Sequence, residues 1–168
     1  MSRGAQKLHF IPLLLIPLLL IPLRLPAQNG SSVNQIVTVE VKPITIIAVN
    51  GNPGALNIID ALGGTDELSV SDQNTRYSMV TNLDNMKIVA SVNDPMPAGT
   101  RLMIRLESTS GESNGEVDIS SARTPVNVVS GIGRGSDLNQ TITYTFAADA
   151  NVSEISAQSR VITLTLTE

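Results

Sequence analysis

Apolar and polar residues alternate with a period of two along most of the chain, which is the pattern of strands with one buried face. Val37, Val39 and Val41 alternate with Thr38, Glu40 and Lys42; Pro43 interrupts, and Ile44 to Val49 resumes the run. Asn50-Gly51-Asn52-Pro53-Gly54 reads as a turn, with a short strand predicted over 56–58. Residues 60–75 lose the alternation and read as a loose stretch holding at most one helical turn. Strands are predicted over 76–81, 86–92, 101–107, 117–119, 126–129, 141–146 and 160–168. In the clearest of them, Leu102, Ile104 and Leu106 face one way and Arg101, Met103, Arg105 and Glu107 the other. Tyr77, Tyr144 and Phe146 fall on inward-facing positions and are read as core. No segment carries a 3.6-residue apolar stripe. Eight to nine strands with turns at intervals of about 8–12 residues predict an all-β, antiparallel, immunoglobulin-like β-sandwich over 33–168.

The first 27 residues follow a different logic. Arg3 and Lys7 open a positive start, residues 10–23 form an apolar run, and Leu25-Pro26-Ala27 places a small residue before Gln28. This is the layout of a cleavable export signal, cut after Ala27. The run is shorter than the ~20 residues a spanning helix needs, and Pro12, Pro17 and Pro22 disturb a helix within it. The reading is a signal over 1–27, a flexible leader over 28–32 and one domain over 33–168, exported to the periplasm, the cell surface or the exterior. No second long apolar run exists, so no membrane span is expected in the mature chain.

Composition narrows the chemistry. The 141 residues after Ala27 hold eight basic and fifteen acidic side chains, no His, no Cys and no Trp. No Ser–His–Asp triad, Cys–His pair or common zinc, iron–sulfur or haem ligation is available. An acidic chain with three aromatics lacks the phosphate contacts and stacking platforms of a nucleic-acid binder. Without disulfides, stability rests on packing and backbone pairing.

Gly131-Ile132-Gly133-Arg134-Gly135 has the look of a dinucleotide loop, but Ser136 breaks the motif and a strand follows instead of a helix, so a glycine hairpin is predicted. Two acidic stretches, Asp60, Asp66, Glu67 and Asp72, and Glu112, Glu116 and Asp118, are the candidates for calcium; neither has the alternating spacing of a dedicated calcium loop, so both read as solvated acids and no cofactor is expected. Paired carboxylates for glycoside hydrolysis would lack aromatic platforms for the sugar. The expectation is a protein without enzymatic activity. Loops 93–100, 108–116 and 131–137 are where a binding module would hold a partner.

The most informative segment is 33–42, an alternating run that follows a flexible leader and meets a proline. It is read either as the first strand of its own sandwich or as a donor strand for a neighbouring copy. In VNQIVTVEVKPITIIAVNGNPGAL (33–56), RYSMVTNLDNMKIVASVND (76–94) and RVITLTLTE (160–168), the chain resembles the cysteine-free major pilins of chaperone–usher fimbriae. That resemblance implies an immunoglobulin-like sandwich lacking its last strand, completed by the extension of the next subunit. It also implies a secretion chaperone as partner, and Val37, Val39 and Val41 as the side chains that fill the neighbour. The function expected is an exported structural or surface-assembly protein that self-associates or joins another surface protein. The alternative is a monomeric binding or adhesion module.

Overall fold

The computed structural model describes residues 30–59, 67–121 and 123–168. The export signal, the start of the leader, Asp60 and Asp66 lie outside the described residues. The chain divides into two units, Met1–Val39 and Glu40–Glu168. Residues 30–39, the described part of the first, carry no strand. The second holds nine strands among its described residues: β1 (Thr45–Asn50), β2 (Glu67–Thr81), β3 (Met86–Val92), β4 (Thr100–Leu106), β5 (Glu112–Ser113), β6 (Val117–Asp118), β7 (Val126–Ile132), β8 (Gly135–Asp149) and β9 (Ile162–Thr167). No helix among the described residues is long and apolar enough to cross a membrane.

All pairings are antiparallel, in a five-stranded sheet of order β1-β2-β8-β4-β6 and a four-stranded sheet of order β5-β7-β3-β9. The alternation of each strand turns one face of each sheet onto a shared core. Tyr77, Met79, Leu102, Ile104, Leu106, Ile142 and Tyr144 come from the larger sheet; Met86, Ile88, Ala90, Val128, Val129, Ile132 and Leu166 come from the smaller. Every connection after β2 switches sheets, so consecutive strands from β2 onward pack across the core rather than pair.

Several sequence expectations need correction. Residues 56–58 are not a strand. Residues 67–75 are not loose: they are the first part of the fifteen-residue β2. An extra residue on β2 between Asp72 and Thr75 breaks the ladder and flips the buried parity from even to odd positions, which is why the alternation was lost there. The glycine segment is not a hairpin. β7 ends at Ile132 and β8 starts at Gly135 in the other sheet, so Gly133-Arg134 is a corner between sheets. The 108–116 loop contains the short β5. Tyr77 and Tyr144 are buried as expected, whereas Phe146, paired with Val70 and Leu102 toward the strand's end, is only half-buried.

Among the described residues one charged side chain is fully enclosed. Asp137 accepts hydrogen bonds from the Ser108 hydroxyl, from the Thr109 N–H and hydroxyl (2.7 Å for the latter), and from the Ser110 N–H (2.9 Å) and hydroxyl. The Tyr77 hydroxyl donates to the Glu107 carbonyl at 2.6 Å just beside it. These bonds tie the segment after β4 to the start of β8. Gly111 completes the turn, because a Cβ there would sit 2.6 Å from Ile132 Cγ1 and 2.9 Å from the Ser130 carbonyl. Burial alone would raise the Asp137 pKa, but the hydrogen bonds from Ser108, Ser110 and Thr109 together outweigh it and hold the carboxyl below its ordinary range.

Asp137→Asn is expected to cost about 3 kcal/mol of unfolding free energy, because donors gathered for a carboxylate then meet an amide that accepts at one atom only. A depressed folded pKa means that the carboxylate's contribution is complete above about pH 4 and is lost as pH falls through the folded value. The gap between wild type and variant, read from urea midpoints, therefore narrows from about pH 7 to about pH 2. A gap that holds constant across that range would show that the buried group carries no charge.

Candidate functional site

A sandwich of two open sheets has four edges. On one side they are blunted: β5 and β6 are two residues each, and the chain passes directly from one to the other. On the other side lie β1, which among the described residues pairs with β2 alone, and β9, which pairs with β3 alone. Neither TIIAVN nor ITLTLT contains a charged residue or a proline, two of the devices that commonly protect a free edge.

The registers fix which side chains face the opening. Ile47 lies opposite Met79 and Val49 opposite Tyr77, so both share the inward face of the larger sheet. Ile162, Leu164 and Leu166 lie opposite Val92, Ala90 and Ile88 on the inward face of the smaller. Cover declines along β9: Leu166 is buried, while Leu164 and Ile162 are half-buried. The result is a groove of about 430 Å³ between the two edges, with Ile47 and Val49 on one wall, Ile162 and Leu164 on the other, and Tyr144 beneath. At one end Arg160 donates to the Pro95 carbonyl at 3.0 Å, and the Val161 N–H donates to Asn93 Oδ1 at 2.8 Å, which anchors the start of β9.

The sequence-predicted site residues belong to no strand. Val37, Val39 and Val41 are 73%, 86% and 81% exposed, and residues 30–44 form no strand. The reading of 33–42 as the first strand of the chain's own sandwich is therefore not what the structure contains. Just after this segment the backbone is held firmly. The Ile44 N–H donates to Asn82 Oδ1 at 2.7 Å, the Asn82 N–H donates to the Ile44 carbonyl at 3.3 Å, and Asn82 Nδ2 donates to the Lys42 carbonyl at 2.8 Å.

Of the three candidate loops, 108–116 and 131–137 are brought together by Asp137 and by the Gly133 N–H on the Ser110 carbonyl at 3.2 Å. The 93–100 loop lies at the opposite end of β4. The acidic candidates are engaged separately: Glu67 pairs with Arg101, Asp72 accepts from Asn74, and Asp118 accepts from the Ser120 N–H. Among the described residues no three potential metal-ligating side chains converge. Asp137 and the groove were both invisible to sequence reasoning. Of the groove, only the strand character of its walls, 44–49 and 160–168, was legible in the sequence. Compared with protein-family models, with curated proteins and with solved structures, the chain finds no match.

The two tyrosines of the chain report on this core. Burial, reinforced by the Asp137 charge, pushes Tyr77 well above the ordinary tyrosine range. Burial, reinforced by Asp72, pushes Tyr144 up to about 12. An alkaline titration of phenolate absorbance is expected to show no ionisation near about pH 10 in the folded protein, with Tyr144 the first to respond. A transition near the ordinary value would place a tyrosine in water and contradict the packing beneath the groove.

Proposed function

We propose that this chain is an exported, non-enzymatic structural subunit with an immunoglobulin-like sandwich, which assembles at the cell surface by donating residues 33–42 to the groove of the next copy. The observation that carries the reading lies within one chain: two sheet edges, without charge or proline, flank a groove that has Ile47, Val49, Ile162 and Leu164 on its walls and Asn52 and Arg160 at its rim, and an alternating valine segment forms no strand. In the mechanism, the backbone of 33–42 lies along a free edge and supplies the missing ladder hydrogen bonds. Val37, Val39 and Val41 enter the groove, and Thr38, Glu40 and Lys42 stay in solvent. A strand repeats its inward positions every two residues, which is also the spacing of Ile162 and Leu164 on the groove wall. Each valine buried contributes ~1.5–3 kcal/mol in addition to the backbone pairing. The resemblance to fimbrial pilins supports the same arrangement, with a secretion chaperone covering the groove before assembly.

A second reading, a monomeric binding module, draws on a different observation. A polar cleft of about 390 Å³ lies on the outer face of the larger sheet, lined by Ser71, Gln73, Arg105, Glu116, Thr143 and Thr145. Its hydroxyls and its two charges suit a small polar ligand.

Light scattering on a sizing column separates the two. The chain from Gln28 is expected to form a ladder of oligomers, and a version lacking 28–42 to remain a folded monomer. Val39→Asp is expected to leave stability within about 0.5 kcal/mol, because Val39 is exposed, while stopping extension of the ladder. A full chain that stays monomeric at every concentration removes the assembly reading and leaves the binding module.

A further inference from the structure

Strand donation raises a problem of competition. A segment tethered beside its own groove meets it at an effective concentration on the order of millimolar, far above that of any second copy in dilute solution. The route for self-insertion is short: a reversal within Lys42–Ile44 would fold 33–42 back as a hairpin on the free edge of β1. Something must disfavour that reversal if copies are to join each other.

We infer that Asn82 is the residue that disfavours it, acting as a bracket that keeps the chain running straight out of β1 and so directs 33–42 to a second copy. This inference rests on the strand-donation reading. Asn82 follows β2 directly, and its main chain and side chain together hold both flanks of Pro43. Its Oδ1 accepts from the Ile44 N–H, its Nδ2 donates to the Lys42 carbonyl, and its own N–H donates to the Ile44 carbonyl. The side-chain amide thus behaves as one more residue of β2 and prolongs the β1–β2 ladder beyond its last pair, Thr45 and Thr81. Pro43 sits where no N–H is needed, and it biases Lys42 toward an extended conformation. A reversal at 42–44 would turn the Ile44 N–H and the Lys42 carbonyl away from Asn82 and break the bracket. The bracket also fits the local sequence. Asn82 opens the tight turn to β3 that contains Asn85 at φ 58°, and Thr81 Oγ1 accepts the Leu83 N–H at 3.1 Å, so the asparagine is held by a turn that does not depend on it alone.

The test compares the chain from Gln28 with its Asn82→Ala and Asn82→Asp variants at one protein concentration. Light scattering gives the monomer-to-oligomer ratio, and limited proteolysis of 33–42 in the monomer fraction reports whether the segment is covered. Asn82→Ala is expected to raise the ratio by about tenfold or more, from the loss of hydrogen bonds at the bracket, with the segment of the new monomer protected from cleavage. Asn82→Asp keeps the acceptor for Ile44 and the turn but loses the donor to Lys42, so it shifts the ratio in the same direction by less. It serves as the test if Asn82→Ala fails to fold by circular dichroism. Variants that assemble like the wild type, or that become monomers with a freely cleaved segment, overturn the bracket. A wild-type chain that is itself a monomer with 33–42 cleaved freely overturns strand donation instead, which separates the two failures.

Discussion

A β-sheet has to end somewhere, and every end leaves a row of backbone donors and acceptors without partners. That constraint shapes this molecule more than any single side chain. On one side the two sheets end in two-residue strands joined to each other, which leaves little edge to expose. On the other they end in six-residue strands without a charge or a proline. The core follows the same asymmetry. Residues such as Ile88, Ile104 and Val128 are fully enclosed, while Ile47, Ile162 and Leu164 are only partly covered. The half-covered residues line the groove, so the place where the ladder is unfinished is also the place where the core is unfinished.

With no cysteine available, something else must fix the long sheet-switching connections. The enclosed carboxylate of Asp137 does so for the segment that leads from β4 into β5. A buried charge is costly unless its oxygens are satisfied, and here three consecutive residues, Ser108, Thr109 and Ser110, supply hydroxyls and main-chain N–H groups to it. The anchor therefore serves the closed side of the sandwich, while on the groove side the neutral side chains of Asn82 and Asn93 hold the starts of β1 and β9.

Local pattern was legible where strands run without irregularity. The alternation of 86–92 coincides with β3, and 101–107 differs from β4 by one residue at each end. It failed where a bulge changes which positions face inward. Carrying the Ile142 and Tyr144 parity backward along β8 would bury Leu138 and expose Asp137. The structure does the reverse, because β8 gains a residue opposite the Tyr77–Met79 step and Asn139 takes φ 54°. Asn139 fits that role, since its N–H is held by the Ser78 hydroxyl and asparagine tolerates this conformation better than most residues. The glycine segment 131–135 was read as a hairpin because its local chemistry matches one; which sheet the next strand joins is decided by distant partners. The groove was hidden for the same reason. That β1 and β9 are both edges, and lie on one side, is a property of sheet order, whereas the valine period of 37–41 is written in adjacent residues.

Sheet order also bears on how the chain holds together with a groove left open at one side. The open groove leaves Ile47, Val49, Ile162 and Leu164 partly wet, and apolar surface left in water forfeits about 25 cal/mol for each Å² that a further strand would cover. A sandwich can tolerate that loss only if its remaining contacts suffice. Here β2 and β8, fifteen residues each, pair along most of their length at the centre of the larger sheet, and β3 lies between β7 and β9 at the centre of the smaller. The groove borders this framework without interrupting it. In the proposed assembly, folding and completion are therefore separable: the central ladders and the Asp137 anchor set the body, and the incoming strand adds pairing and burial to an edge that is already in place.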